Sequence, residues 1–268
     1  MLGAIVGDIV GSIYEFNNIK TKSFPLFSEH CFFTDDTVMT VAVSEAIKKG
    51  ATPDNFIDEM KTWGRSYPRR GYGLRFDNWL VSDNRKPYNS WGNGSAMRAG
   101  PCGWAVGVDI PLEQGTLKVA DLAAASAAVT HNHPEGIKGA RAAALGVYFM
   151  RYGAKHGDIK TYKTLYKDYI TTHYGYDLER TLDEIRPVYY FNESCQETVP
   201  EAIIAFLEST DFEDAIRNAI SIGGDSDTVA AITGAIAEAA YGIPPSIRTK
   251  TLTYLDDTLR AALTPPTP

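Results

Sequence analysis

Two short acidic segments near opposite ends of the chain constrain its fold more than any other feature: Thr34-Asp35-Asp36-Thr37 and Asp225-Ser226-Asp227-Thr228. Each opens an apolar run, Val38-Met39-Thr40-Val41-Ala42-Val43 after the first and Val229-Ala230-Ala231-Ile232 after the second. Carboxylates beside apolar helices are costly to bury unless water or cations compensate them. If the segments converge, hard divalent ions are the natural counter-charge, because oxygen-rich sites select magnesium, calcium or manganese. Taken singly, either segment also reads as a helix start. Thr, Asp and Ser cap helix N-termini, and first-turn acids gain roughly 0.3–1 kcal/mol from the helix dipole. The near match of Asp36-Thr37-Val38 to Asp227-Thr228-Val229 favours a paired metal site, and capping is compatible with it. Only a fold that brings distant segments into one core joins them. A single domain over residues 1–263 is therefore expected, with a flexible C-terminal tail over 264–268.

Helical periodicity dominates the remainder. Leu2, Ile5, Val6, Ile9, Val10 and Ile13 fall on one face of a helix. Gly3, Gly7 and Gly11 repeat along it, and each glycine weakens a helix by ~1 kcal/mol against alanine. The stripe implies close backbone packing on another helix, or room for a ligand. Further helices are predicted over 38–48, 53–63, 117–129, 137–150, 161–172, 198–207, 212–220, 228–241 and 247–263. The segment 64–94, rich in Gly, Arg, Asn, Tyr and Pro, reads as a long excursion with one short helix around 74–81. Period-two alternation is nowhere sustained, so the fold class is all-α with strands minor or absent.

Charge and cysteine usage narrow the function classes. A formal charge of −7 argues against a protein that coats nucleic acid, which needs a basic face. Cys31, Cys102 and Cys195 are widely spaced and odd in number, offering neither a disulfide framework nor metal-ligand spacing. They point to a reducing cytoplasm. Residues 1–13 lack a basic start and are interrupted by Asp8, unlike a secretory signal. No run approaches the ~20 apolar residues of a spanning helix, so no membrane partner is expected.

Three more segments carry candidate chemistry. Asp8 and Glu15 stand about two helical turns apart in Gly7-Asp8-Ile9-Val10-Gly11-Ser12-Ile13-Tyr14-Glu15, so both can share one polar edge. Gly92-Asn93-Gly94-Ser95-Ala96-Met97-Arg98 offers backbone amides and the Ser95 hydroxyl to a phosphate, although alone it reads equally as a turn. Thr130-His131-Asn132-His133-Pro134-Glu135 places two imidazoles close together without the cysteine that would complete a zinc site.

In order along the chain, GDIVGSIYE, FTDDTVMT, GNGSAMR, THNHPEG and GGDSDTVAAITGAIAEAAYG run from residue 7 to residue 242. With these motifs the chain resembles the ADP-ribosylglycohydrolase family, which includes the dinitrogenase-reductase-activating glycohydrolases. The resemblance implies an all-α, single-domain orthogonal helical bundle with two magnesium ions, replaceable by manganese, in a cleft that binds ADP-ribose. Position by position it makes Thr34, Asp35, Asp36, Asp225, Asp227 and Thr228 metal ligands. It makes Glu15 the first candidate for acid/base catalysis and Asp225 the second. Gly92, Asn93, Gly94, Ser95 and Met97 correspond to the loop around ADP-ribose, and His131 and His133 to the region beside the distal ribose and phosphate. The activity so implied is removal of a single ADP-ribose from a protein side chain, arginine first, with release of ADP-ribose. The substrate partner is then an ADP-ribosylated protein or small molecule, and nucleobase-linked conjugates stay open. A metal-dependent phosphohydrolase acting on a pyrophosphate and a non-catalytic ADP-ribose reader are the alternatives. The span 149–197 carries no motif of the family.

Overall fold

The computed structural model describes residues 1–263, and the tail expected over 264–268 lies outside them. In chain order the elements are α1 (Leu2–Gly11), α2 (Asp35–Lys48), α3 (Pro53–Ser66), α4 (Leu74–Val81), the short α5 (Gly94–Met97) and α6 (Gly100–Ala105), and α7 (Leu112–Ala128). There follow α8 (Pro134–His156), α9 (Ile159–Tyr174), the one-turn α10 (Leu182–Ile185), α11 (Cys195–Leu207), α12 (Phe212–Ser221), α13 (Ser226–Tyr241), α14 (Pro245–Leu252) and α15 (Asp257–Ala262). Among the described residues the sole β-type pairing is an isolated bridge between Gly92 and Ser194. None of these helices is long and apolar enough to cross a membrane.

Local chemistry sets most boundaries. Thr34 caps α2 by accepting from the Asp36 amide, and Thr52 with Asn55 forms a reciprocal capping box at α3, behind which Pro53 takes the first helical position. Asp158 and Asp211 cap α9 and α12 in the same way. The continuous helix predicted over 247–263 is two. The chain turns after Leu252, and Asp256 restarts α15 by accepting from the Leu259 amide at 2.9 Å. The helix predicted over 137–150 starts earlier, at Pro134, and runs on to His156. The one predicted from 117 starts at Leu112, just behind Pro111. The first helix stops at Gly11, short of Ile13.

α1 is buried along its whole length and lies against α13. A Cβ on Gly7 would stand 2.0 Å from the Ala230 carbonyl oxygen, and one on Gly11 would stand 2.5 Å from the Asp227 Cα. Backbone therefore meets backbone along this seam, and the glycine stripe serves packing. The contact joins the first helix to the thirteenth and sets Asp227 beside the end of α1. α8 packs against α7, α9, α11 and α13, while α2 packs against α3 and α6. One continuous apolar core, including Ile5, Ile9, Met39, Val41, Leu145, Ile203, Val229 and Ile236, is enclosed by these helices. Each such side chain gains about 1.5–3 kcal/mol from burial.

Candidate active site

The start of α2 is braced from below by Asp8, an acid wholly buried in α1. Its carboxylate accepts from the Thr34 amide at 3.0 Å, the Thr34 hydroxyl at 2.7 Å, the Thr37 amide at 3.0 Å and the Thr37 hydroxyl. These bonds fix the turn that carries Asp35 and Asp36, and the Asp35 amide is pinned in addition to the Arg70 carbonyl at 2.8 Å. Sequence reading placed Asp8 on a polar edge with Glu15. The structure puts it inside, as a support for the acids above it.

The second acidic segment arrives through a turn whose glycines, Gly223 and Gly224, have φ of 72° and 76°. A side chain at Gly224 would strike the Tyr189 ring, and the left-handed backbone there favours glycine. Asn18 ties this turn to the one that carries Glu15. Its Nδ2 donates to the Tyr14, Glu15 and Gly224 carbonyls at 2.7, 2.9 and 2.9 Å, and its Oδ1 accepts from the Gly224 amide at 2.8 Å. As a result Glu15, Asp225 and Asp227 offer carboxylate oxygens that all lie within 4.8 Å of one another. Thr228 links them to the first segment by donating its hydroxyl to Asp36 Oδ2 at 3.2 Å. Both ends of the sequence thus meet at one place.

Electrostatics at this meeting point are strained. Burial, followed by repulsion from Asp225, Asp8 and Glu193, pushes the Glu15 carboxyl up to about 7. Burial raises Asp8 to about 6 against its four hydrogen bonds. Asp35, Asp36 and Asp227 are held well above the usual carboxylate range, first by burial and then by neighbouring acids. Asp36 Oδ1 is buried and has no hydrogen-bond partner. An all-oxygen donor set, short of positive charge and with one orphaned carboxylate oxygen, fits a hard divalent cation.

A cleft of about 280 Å³ opens from these acids. Glu15, Asp35, Asp36, Asp225 and Thr228 line it together with Gly92, Asn93, Gly94, Met97, Arg98 and His131. Gly71, Gly73, Leu74, Arg75, Phe76, Tyr88 and Ser90, from the 64–94 excursion, and Glu193 complete the lining. The glycine-rich loop is held by pairing with the segment before α11. The Asn93 amide donates to the Glu193 carbonyl at 2.7 Å and the Cys195 amide to the Trp91 carbonyl at 2.9 Å. Asn93 also donates through Nδ2 to Asp225 Oδ2 at 2.7 Å, so this side chain orients an acid.

Four of the residues singled out by the motifs lie off the cleft wall. Thr34 caps α2 and donates to Asp8, which leaves one lone pair of its hydroxyl oxygen unused. Asp227 lies behind the wall, although its carboxylate belongs to the oxygen group with Glu15 and Asp225. Two expectations need correction. The Ser95 hydroxyl faces away from any phosphate in the cleft, because it is fully buried and donates to the Gly136 carbonyl at 2.7 Å. His133 caps α8 through Nδ1, which accepts from the Glu135 amide at 3.2 Å, and its ring packs on Trp91 rather than facing the cleft. Among the aromatics of the 64–94 excursion, Phe76 and Tyr88 reach the cleft, whereas Tyr67 stacks on Trp63.

Arg75, Arg98, Phe76, Tyr88 and Glu193 line the cleft without having been singled out from the sequence. Arg98 stands inside the quoted GNGSAMR motif, and a basic residue in an apolar stretch was the available signal. Glu193 falls in the span without a motif, where nothing pointed to it.

Over residues 1–264 the chain matches the family described as ADP-ribosylglycohydrolase. ADP-ribosylhydrolase ARH3 of Mus musculus is 24% identical over 318 residues, covering 91% of this chain and 83% of that protein. ADP-ribosylarginine hydrolase Tri1 of Pseudomonas putida (strain GB-1) is 24% identical over 271 residues, covering 91% of this chain and 70% of that protein. A solved structure titled ADP-ribosylglycohydrolase-related protein complex superposes with a TM-score of 0.66 at 24% identity, over 97% of this chain and 93% of that one. It shares the all-α fold.

Proposed function

Because the chain belongs to the ADP-ribosylglycohydrolase family, we propose that it is a magnesium-dependent enzyme that removes single ADP-ribose units from arginine side chains. That it is a glycohydrolase acting on ADP-ribosylated substrates follows from the family. The metal and the linkage are the finer reading. The observation that carries it is the meeting of Glu15, Asp225 and Asp227 within 4.8 Å, joined through Thr228 to Asp36, beside a cleft.

Two magnesium ions, or manganese in their place, would be held by Asp35, Asp36, Asp225 and Asp227, with Thr34 and Thr228 as neutral oxygens. Bound there, such ions supply Lewis acidity toward ribose hydroxyls and water. The remaining work falls to the chain. Hydrolysis adds water across the bond between the anomeric carbon and the leaving nitrogen, through a cation-like carbon. Water adds its oxygen to that carbon, one of its protons is taken by a carboxylate, and a proton is delivered to the departing nitrogen. Glu15, pushed up to about 7, can hold or release a proton near neutrality and is our first choice for this transfer. Asp225, oriented by Asn93, is the second. Glu15 also lies close enough to Asp225 and Asp227 to serve as a ligand, which is the competing role for this one residue.

The arginine assignment rests on charge and on one relative. The acids of the cleft, Glu15 and Glu193 among them, suit a cationic guanidinium, while Arg75 lines the same cleft and can face a diphosphate. A relative named as an ADP-ribosylarginine hydrolase agrees with this. We also place it in a reducing cytoplasm, a reading with which three buried, free cysteines are compatible.

The test is hydrolysis of arginine-, serine- and nucleobase-linked ADP-ribose conjugates after chelation, then with magnesium or manganese restored. We expect cation-dependent release of ADP-ribose, fastest from the arginine conjugate. Undiminished turnover in excess EDTA removes the metal from the proposal. AMP as product makes the protein a phosphohydrolase, and tight ADP-ribose binding without turnover makes it a reader.

A further inference from the structure

Arg98 is a buried cation that the reaction as outlined does not use. It is 1% exposed, its Nε has no partner, and it makes no ion pair with a carboxylate among the described residues. A buried guanidinium without an ion pair is costly even with the Phe76 ring 5.5 Å away, and the burial draws its pKa down to about 10. Among the described residues its one hydrogen bond runs from Nη2 to Thr130 Oγ1 at 2.8 Å. Thr130 Oγ1 in turn lies 2.8 Å from His131 Nδ1.

Donor arithmetic decides the direction of this chain. A guanidinium can only donate, so Thr130 Oγ1 accepts from Arg98. The oxygen could accept a second proton, but its own hydroxyl proton has no other acceptor among the described residues, so the arrangement that leaves no donor unpaired has it donate to His131 Nδ1. His131 is 5% exposed, and burial with the positive charges of Arg98 and Arg75 keeps its imidazole neutral. A neutral ring that accepts at Nδ1 carries its proton on Nε2. That atom lies beneath the glycine loop: a Cβ on Gly94 would stand 3.4 Å from it and one on Gly92 3.6 Å. Nε2 has no hydrogen-bond partner among the described residues, and His131 lines the cleft.

We propose that Arg98 and Thr130 are positioning residues that lock His131 as the Nε2-protonated tautomer, presenting one fixed N–H donor to an acceptor oxygen of the bound nucleotide sugar. The second half rests on the ADP-ribose reading given above; the first half does not. The oxygen belongs to a phosphate or a ribose hydroxyl, since both accept from a neutral imidazole. Glycine at 92 and 94 keeps the path from Nε2 into the cleft free of side chains. The buried arginine thereby has a purpose that a packing role would not require, because it removes the alternative tautomer rather than filling space.

The experiment is long-range 1H–15N NMR of histidine-labelled protein at neutral pH, with the His131 ring identified by its loss in His131→Asn. The ring should show Nε2 protonated and Nδ1 bare. In Thr130→Val and in Arg98→Met that bias should disappear, and the affinity for ADP-ribose in calorimetry should fall about tenfold, the share of one lost hydrogen bond. Thr130→Ser, which keeps the hydroxyl, should restore both. An imidazolium or an Nδ1-protonated ring in the unmodified protein overturns the relay whatever the variants do. Thr130→Val with unchanged tautomer and affinity overturns it as well. If the unmodified protein binds no ADP-ribose, the functional reading fails, and the spectrum still decides the tautomer.

Discussion

Removing divalent cations should make this protein lose stability as the pH rises toward neutrality, the opposite of what salt-bridged carboxylates produce. Asp8 allows the magnitude to be worked, because it is wholly buried and its acid is raised from 3.8 to about 6. Below the lower value both folded and unfolded chains carry the proton. Between the two values the unfolded chain ionises while the folded one resists, so unfolding releases a proton and stability falls with pH. Above the upper value the loss is complete and amounts to about 3 kcal/mol. Glu15, half-buried and raised to about 7, extends the fall in the same sense with smaller weight. Asp35, Asp36 and Asp227 add to it in the same direction. Exposed acids with lowered values, such as Asp109 and Asp158, oppose it only weakly. The assay is urea unfolding in EDTA at about pH 5 and about pH 7.5, where Asp8 alone contributes a fall of about 1.5 kcal/mol. Magnesium should restore more stability at the higher pH, where fewer protons must be displaced to bind it. A chelated protein that is equally stable or more stable at the higher pH refutes the claim that these acids are held against their charge.

Two further outcomes follow from named contacts. Gly7→Ala should destabilise the protein by about 1–3 kcal/mol in denaturant unfolding, because the added Cβ meets the Ala230 carbonyl and outweighs the ~1 kcal/mol of helix propensity gained; a variant of unchanged stability means that α1 and α13 do not touch. Glu15→Gln should lower kcat by about 100-fold or more while ADP-ribose affinity stays within a few-fold, and a matching loss of magnesium affinity in calorimetry would instead assign this side chain to the metal.

How much of this was legible in the sequence depended on whether the signal was local. Helices with their own caps, such as the one behind Thr52 and Pro53, were visible because both start signals sit beside the apolar pattern. The break before Asp256 was missed because an apolar period continued across it, although Asp256 is itself the cap and accepts from the Leu259 amide. The convergence of Asp36 with Thr228 was expected from two similar acidic segments, and the glycine stripe of α1 suggested the close packing that brings it about. Side-chain direction was not legible. Ser95 and His133 sit in segments that reach the cleft, yet one turns into the core and the other caps a helix. Glu193 and Tyr88 reach the cleft from loops whose course no local rule dictates.

The seam between α1 and α13 bears on how the molecule is made. The main partner of the first helix is Ser226–Tyr241, so during synthesis an apolar α1 leaves the ribosome long before the helix that covers most of it. At elongation rates of ~5–20 residues per second it waits roughly 10–45 s for its mate. Through that interval the acids near residue 35 stand apart from those near 225, and nascent chain has no assembled oxygen cage with which to capture an ion. Assembly of the centre is therefore a late, long-range event, and until then the contact α1 can already make is the one with α2.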